Sequence, residues 1–174
     1  MKLTWFGRTA FRIHAGGRIV VVDAEAAPVG VDRRELLGGA DDVVGFAAGL
    51  PMADGAAWRP RPAGRLLDAG ETPPPPAFWS LGEGTVLVDA EGEAPLLLVA
   101  GAVPPLGRWA DRAAVILAGT ALAERGETVL AAAAPRLLAL AGSETEADAA
   151  FAALARRLDG TGLVALEPGL AVEA

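Results

Sequence analysis

Side chains that commonly do chemistry are scarce in this chain. His14 is the sole imidazole among its 174 residues, and there is no cysteine. A catalytic zinc typically needs about three protein donors of the nitrogen, sulfur or carboxylate type, together with an open water position. A zinc centre built from histidine or cysteine is therefore excluded, as are disulfides and cysteine nucleophiles. His14 stands at the end of a predicted strand beside Gly16–Gly17, where we expect a solvent-facing hairpin residue and not a general base.

Carboxylates are the remaining candidates for metal binding or acid–base work. Asp23 follows the apolar run Ile19–Val22 and is either a residual site acid or a residue that ties down the next loop through backbone amides; we favour the structural role. Other aspartates match no calcium-loop spacing and are typical of a hydrated surface. They are Asp41, Asp42, Asp54, Asp68 and Asp111.

Hydroxyl nucleophiles and phosphate loops are not indicated either. Ser80, Thr120 and Ser143 have no histidine partner, and no Gly-x-Ser-x-Gly elbow occurs. The glycine-rich stretches 37–40 and 82–84 lack the spacing and the lysine of a phosphate-binding loop. We therefore assign no catalytic residue and predict no cofactor and no metal.

Charge and hydropathy exclude two classes of partner. A net charge of -7 repels a phosphate backbone, so no nucleic acid is expected. No run reaches the roughly 20 uninterrupted apolar residues of a membrane span, and the N-terminal residues do not have the layout of a secretory signal. The sequence thus predicts a soluble, cytoplasmic protein without a membrane partner, folded as one domain over 1–174.

The apolar pattern predicts mainly short strands. Strands at 3–6, 10–14 and 18–22 form a meander with a tight turn at Gly16–Gly17. A short polar turn at 32–37 and a buried strand at 42–46 follow. A hairpin of strands 85–89 and 95–99 and a further apolar strand at 113–117 begin the second half.

The last third of the chain predicts a capped helix and a closing hairpin. Ser143 and Glu146 have the spacing of a capping box, and the helix behind them buries residues at helical spacing. Those residues are Ala147, Ala150, Phe151, Leu154, Ala155 and Leu158. Arg156 and Arg157 are placed favourably against the negative end of this helix. Strands at 163–166 and 171–173 close the chain around the turn 167–169.

Residues 49–76 are the least regular part of the pattern, because glycine, proline, alanine and arginine dominate there. Short strands are predicted at 65–67 and 78–81, and the prolines 73–76 predict an exposed connection since proline supplies no ladder donor. The order of elements shows no simple βαβ repetition. It favours two sheets with helices outside them over a single doubly wound sheet.

The opening MKLTWFGRTAFRI and the segment GGRIVVVD that ends at Asp23 resemble the start of metallo-β-lactamase-fold hydrolases of the lactonase-like branch. Residues 41–44 resemble the strand before that family's metal motif, 96–101 the strand that reaches its bridging aspartate, and 163–172 its closing hairpin. Residues 49–81 match poorly and look shortened. The resemblance implies an α/β fold of the α+β type, a shortened four-layer αββα sandwich.

The same resemblance implies where a zinc centre would lie, and the residues there are poor ligands. The family's histidine-rich loop corresponds to residues 46–51, its bridging aspartate to Ala102 and its final histidine to Ala141. The early glycine–histidine pair is Gly7–Arg8 here, and Asp23 alone keeps its acidic identity. The degenerate cleft positions are Arg8, Asp23, Phe46, Ala48, Leu50, Pro51, Ala102 and Ala141.

Aromatic residues are expected around the mouth of this cleft. Trp58, Phe78 and Trp79 lie in the irregular middle, and Trp109 ends a proline-containing segment. They either cap the emptied cleft or present an apolar patch to a partner. Both alternatives predict that Trp109 is buried, but only the second makes its burial depend on another chain.

Three functional hypotheses follow. The favoured one is a pseudoenzyme that binds or assembles, as a homo-oligomer or as an accessory subunit of a partner protein. The second is a divergent hydrolase that uses carboxylates such as Asp23 with a hard cation, or receives ligands from a partner chain. The third is a small-molecule sensor that uses the cleft around 46–51, Ala102 and Ala141, which requires an open pocket of roughly a few hundred Å3.

Overall fold

The computed structural model describes residues 1–46, 49–62 and 74–174, and these residues form two mixed β-sheets with few helices. The strands are β1 (Lys2–Gly7), β2 (Ala10–Ala15), β3 (Arg18–Val22), β4 (Asp42–Val44), β5 (Ala77–Trp79), β6 (Thr85–Asp89), β7 (Leu96–Val99), β8 (Ala114–Ala118), β9 (Leu137–Ala141), β10 (Gly162–Ala165) and β11 (Ala171–Glu173). The helices are α1 (Arg33–Leu37), α2 (Leu122–Ala132) and α3 (Glu144–Leu154), with 3₁₀ turns at Ala24–Ala26 and Arg108–Arg112.

The first sheet has the strand order β11-β1-β2-β3-β4. Its predicted meander is confirmed, because β1, β2 and β3 pair antiparallel in sequence. Gly16 and Gly17 make the β2–β3 turn with φ of 56° and 75°, a left-handed geometry that glycine adopts without steric cost. The predicted turn at 32–37 is the short helix α1, whose N-cap Asp32 accepts a hydrogen bond from the Arg34 amide.

The predicted buried strand at 42–46 needs correction. It ends at Val44, pairs parallel with β3 alone and forms an edge of the sheet, with Val43 60% exposed. Two adjacent valines are compatible with an edge strand and with a central strand. The sequence therefore did not show that β4 lies at the edge of the sheet.

The second sheet has the order β10-β9-β8-β7-β6-β5. Strands β7 to β10 are parallel, while β5 and β6 run antiparallel to their neighbours. Helix α2 connects β8 to β9, and α3 connects β9 to β10. The prediction that no βαβ repetition occurs is therefore wrong. The apolar run of β9 resembles a buried helical segment as much as a strand, which hid the repeat.

The closing hairpin predicted at 163–172 is also wrong. Strand β10 pairs parallel with β9 in the second sheet, whereas β11 pairs antiparallel with β1 in the first. The connection crosses between the sheets: the Leu166 amide donates to Leu140, and the Gly169 amide donates to Trp5. Both strands are short, and their sequences do not specify which neighbour they pair with.

The inner faces of the two sheets pack against each other. Alternate residues of β1, β2 and β3, such as Leu3, Phe11 and Ile13, share one buried cluster with alternate residues of the second sheet, such as Leu98 and Ile116. Strands expose side chains to both faces with a period of two, so the other residues of β6 to β9 point to the opposite side. That outer face is buried too, since Leu97, Leu117, Leu138 and their neighbours pack with helices α2 and α3. The outer face of the first sheet is covered near Leu36 of α1.

The predicted start of helix α3 is confirmed, but its predicted end is not. The Ser143 hydroxyl accepts a hydrogen bond from the Glu146 amide at 3.3 Å. The helix ends at Leu154, so Ala155, Leu158 and the two arginines 156 and 157 follow it. Phe151 and Ala155, which were predicted to be buried, are exposed. Gly126 of α2 explains the tight packing of the helix pair, because a Cβ there would lie 2.4 Å from Leu154 Cδ1.

The irregular middle is partly described. The strand predicted at 65–67 lies outside the described residues, and the strand predicted at 78–81 is β5, one residue earlier, followed by a bridge between Ser80 and Met52. Of the prolines predicted to be exposed, Pro74 and Pro75 are exposed and Pro76 is buried. Among the helices of the described ranges, none has the length and apolar character to span a bilayer.

Glu93, in the turn between β6 and β7, links the second sheet to the first. Its carboxylate accepts a hydrogen bond from the Gly16 amide in the β2–β3 turn and lies 2.6 Å from the Met1 amino group. Burial raises the pKa of this carboxyl, but the hydrogen bonds from the Met1 amino group and Gly16 outweigh burial, so the pKa lies below its ordinary value.

We predict that Glu93→Gln lowers the free energy of unfolding by about 1–2 kcal/mol at neutral pH, because charged hydrogen bonds are lost. A lowered folded-state pKa contributes stability above the unfolded pKa and loses it as the pH falls through the folded one. The difference between the two proteins should therefore shrink in acid, measured by urea unfolding across pH. Glu35→Gln, at an exposed glutamate, is the control; a pH-independent deficit at Glu93 would contradict the assignment.

Two glycines with the same backbone geometry provide a test of the loop packing. Gly84 has a φ of 70°, and a Cβ there would lie 2.6 Å from the Gly101 amide nitrogen; Gly17 has a φ of 75° and open space. Gly17→Ala should cost about 1–2 kcal/mol from the left-handed backbone alone. Gly84→Ala should cost about 1–3 kcal/mol more, because the backbone must shift. Equal losses in thermal or urea unfolding would show that the 82–84 and 100–102 loops are not in close contact.

Candidate functional site

The candidate site is the edge of the sheets where the parallel strands end, called here the carboxyl edge. In open sheets with parallel strands, ligands and catalytic groups are commonly found in the loops at this edge. Asp23 follows β3, Phe46 follows β4, Ala102 follows β7, and Ala141 is the last residue of β9. The resemblance to metallo-β-lactamase-fold proteins implies a zinc centre at these same positions.

Asp23 is used to organise the loop after β3. Its backbone is left-handed, with φ 53° and ψ 46°, and its amide donates to the Val44 carbonyl at 2.8 Å. The Thr9 hydroxyl donates to its carboxylate. Asp23 thus joins the β1–β2 turn to the ends of β3 and β4. Its role is structural, but the prediction that its carboxylate binds backbone amides of the next loop is wrong, because the side chain makes no cap hydrogen bond there and accepts from Thr9 instead.

Arg8 lies at the tip of the β1–β2 turn. It too has a left-handed backbone, with φ 48°, and its carbonyl accepts a hydrogen bond from the Trp5 indole at 2.9 Å. Its side chain is exposed. The position that corresponds to the family's early histidine therefore holds a cation that faces solvent.

The loop 46–51, to which the resemblance assigns the histidine motif, is apolar, and its described residues are partly packed. Phe46 and Leu50 are half-buried against the cluster between the sheets. Pro51 is exposed, and its carbonyl accepts a hydrogen bond from the Ser80 amide at 2.9 Å. Ala48 lies outside the described residues.

Ala102 and Ala141 lie in different surroundings. Ala141 is fully buried in the cluster between the sheets, where its methyl group is part of the packed core. Ala102 is exposed and lines a pocket of about 520 Å3, mainly apolar, between the loops 81–84 and 100–105. The structure thus does not place Ala141 in this pocket.

Arg125 is a residue of this edge that the sequence interpretation missed. From α2 its guanidinium donates to the carbonyls of Val99 at 3.3 Å, Gly101 at 3.0 Å and Ala118 at 2.6 Å, at the ends of β7 and β8. Burial lowers the pKa of Arg125, and the charge of Glu146 opposes that shift. Arginine remains charged in proteins, so it supplies a permanent cation at the ends of β7 and β8.

Glu146 completes the arrangement. Its carboxylate does not reach back to Ser143, as a capping box would require, but accepts a hydrogen bond from the Leu122 amide at the start of α2 at 3.1 Å. That amide is one of the unpaired donors of a helix N-terminus. Glu146 therefore joins α3 to the start of α2, and Arg125 joins α2 to the strand ends. A mid-helix arginine carries no sequence signal for this role, which depends on the tertiary positions of three carbonyls.

The tryptophans predicted at the cleft mouth are packed inside the chain. Trp58 and Trp109 are 9% and 4% exposed, and their rings meet edge to face with centroids 5.0 Å apart. The Trp109 indole donates to the Gly55 carbonyl at 2.6 Å. Their burial needs no second chain, as the capping alternative predicts. Phe78 and Trp79, on the edge strand β5, are half-buried, Phe78 against the core between the sheets and Trp79 on the opposite face.

The donor set at the carboxyl edge does not fit a zinc ion. The positions corresponding to the family's ligands hold Phe46, Leu50, Pro51, Ala102 and Ala141, whose side chains carry no zinc donor. Across the described ranges, no three carboxylate or imidazole side chains come together in a group that could hold a metal. His14 is exposed on β2, opposite Lys2 and Ile19, as predicted for a surface residue.

Comparisons with protein-family models, with curated proteins and with solved structures find no match to this chain. The site is therefore described by its own residues.

We predict that Arg125→Met lowers the free energy of unfolding by about 2–4 kcal/mol, because three hydrogen bonds from a charged group are lost together. The matched control is Arg157→Met, which removes a half-exposed arginine 3.4 Å from Glu127 and should change stability by no more than about 0.5 kcal/mol. Chemical denaturation measures both. Similar small losses for the two variants would mean that Arg125 does not hold the strand ends.

Proposed function

We propose that this chain is a non-catalytic member of the metallo-β-lactamase-fold superfamily, a shortened four-layer αββα sandwich that binds or assembles instead of hydrolysing. In this proposal it acts as a homo-oligomer or as an accessory subunit of another protein. The support for the family comes from the N-terminal segments and the order of the strands. The support for a non-catalytic role comes from the carboxyl edge.

One observation carries the proposal: Asp23, Arg125 and Glu146 at the carboxyl edge are already engaged in holding the fold. Asp23 accepts from Thr9, Arg125 donates to three carbonyls, and Glu146 accepts from the amide of Leu122. Catalytic acids and bases must present a lone pair or a proton to the substrate in a suitable geometry. Turning these side chains towards a substrate would break the hydrogen bonds that they make to the fold, which costs stability.

A second candidate function is favoured by the pocket beside Ala102. Its volume of about 520 Å3 lies within the range of small-molecule sites, and its lining is mainly apolar. A sensor for a small apolar molecule would use this pocket. Because Ala141 and Phe46 belong to the core between the sheets, such a sensor would use only part of the ancestral cleft.

We predict that protein purified from medium supplemented with zinc, manganese and magnesium, and then dialysed, contains no stoichiometric metal by elemental analysis. A screen of ester and lactone substrates should show no turnover above buffer. Asp23→Asn should leave both results unchanged and should keep the fold, because asparagine tolerates the left-handed backbone and still accepts a hydrogen bond from Thr9.

The control for this experiment is Asp148→Asn, which removes an exposed carboxylate on α3. Stoichiometric metal together with turnover that Asp23→Asn and Asp23→Ala abolish, and that Asp148→Asn preserves, would overturn the non-catalytic proposal in favour of the divergent hydrolase.

A further inference from the structure

A second pocket lies at the opposite edge of the second sheet, where the parallel strands begin. It has a volume of about 480 Å3 and is lined by the 92–95 turn between β6 and β7 and by five charged side chains: Arg61, Glu93, Asp111, Arg112 and Arg136. No part of the carboxyl edge contributes to it. We call it the arginine pocket.

The sheet itself places two of these arginines at the starts of neighbouring strands. Arg112 precedes β8 and Arg136 directly precedes β9, and these strands are neighbours. The Ala114 amide donates to the Pro95 carbonyl at 2.9 Å, and the Arg136 amide donates to the Ala113 carbonyl at 3.0 Å. These bonds join the 92–95 turn to the starts of both strands. The pocket is therefore built on rigid elements.

The acids near the pocket are already engaged. Glu93 accepts from the Gly16 amide and pairs with the Met1 amino group, both at 2.6 Å. Asp111 accepts from the Ala134 amide at 3.0 Å. Asp89, which is 3% exposed, pairs with Arg61 at 3.1 Å. Each of these carboxylates thus has a hydrogen-bond donor, and in no case is that donor Arg112 or Arg136.

Arg112 and Arg136 differ from these groups. Neither side chain makes a hydrogen bond or an ion pair with any residue in 1–46, 49–62 or 74–174, and both are exposed at the pocket. With Arg61 paired to Asp89 and Glu93 paired to the Met1 amino group, the lining of the pocket retains two guanidinium groups unpaired within the described residues and one carboxylate, Asp111. The pocket is therefore locally positive in a chain whose net charge is -7.

We propose that the arginine pocket binds a small organic oxyanion, a phosphate ester or a carboxylate, through Arg112 and Arg136. A guanidinium presents a planar fork of donors that matches these anions in a bidentate way. A volume of about 480 Å3 accommodates a small metabolite and lies within the range of ligand sites. The site is independent of the proposed function at the carboxyl edge, because no residue is shared between them.

The test is a calorimetric and NMR titration of the full chain with inorganic phosphate and, separately, with succinate, at low salt. Saturable binding of phosphate identifies a phosphate ester as the ligand class, and binding of succinate identifies a carboxylate. In either case the amide signals of residues 92–94, 112 and 136 should shift. Arg112→Gln and Arg136→Gln should each weaken binding by about tenfold, since each removes charged hydrogen bonds.

Arg108→Gln is the matched control, because it removes an exposed arginine from the same 3₁₀ turn as Arg112 without touching the pocket. It should leave binding within about twofold, the effect expected from a screened change in net charge. Failure of both anions to bind, or equal weakening by all three variants, would overturn the proposal. Unchanged thermal unfolding of the glutamine variants verifies that a loss of binding is not a loss of fold.

Discussion

The packing of the two inner sheet faces against each other is the interaction on which the rest of the structure depends. Leu3, Phe11, Ile13, Leu98 and Ile116 are buried in one cluster to which both sheets contribute. Burial of an aliphatic or aromatic side chain contributes about 1.5–3 kcal/mol, so this layer is the main source of stability. This buried layer ends at the two edges of the sheets, and the residues at these two edges have different roles.

At the carboxyl edge, the strand ends are closed by residues that serve the backbone. Arg125 donates to the carbonyls of Val99, Gly101 and Ala118, and Phe46 and Leu50 pack against the core. A buried carbonyl without a donor costs about 1–3 kcal/mol, which makes the guanidinium a structural requirement here. The opposite edge is different, since Arg112 and Arg136 are held by the sheet but have no structural partner among the described residues. A chemical role is therefore easier to assign to the second edge than to the first.

Local features were predictable from the sequence, and long-range pairing was not. The β1–β3 meander follows from three short strand-like runs with Gly16–Gly17 at the turn, and the start of α3 follows from Ser143. Strands β10 and β11 were also located, but their pairing with β9 and β1 depends on contacts more than twenty residues away in the chain.

The candidate site was predictable in a different sense. The count of histidine and cysteine excludes an imidazole or thiolate zinc centre whatever the fold. A structural role for Asp23 was predicted, but with backbone amides as its donors and not the Thr9 hydroxyl. The role of Arg125 was not predicted, because it depends on where β7 and β8 end relative to α2. The arginine pocket was missed for the same reason: Arg112 and Arg136 are 24 positions apart and become neighbours only through the parallel pairing of β8 with β9.

Native-state hydrogen exchange tests most directly whether one shared core holds both sheets. The amides of Ile13 in β2 and Ile116 in β8 lie in central strands of different sheets. If the sheets form one cooperative unit, the two amides should exchange with the same free energy of opening and the same dependence on denaturant. If β2 opens at a clearly lower free energy than β8, the sheets are separate units and the account of a shared core is wrong.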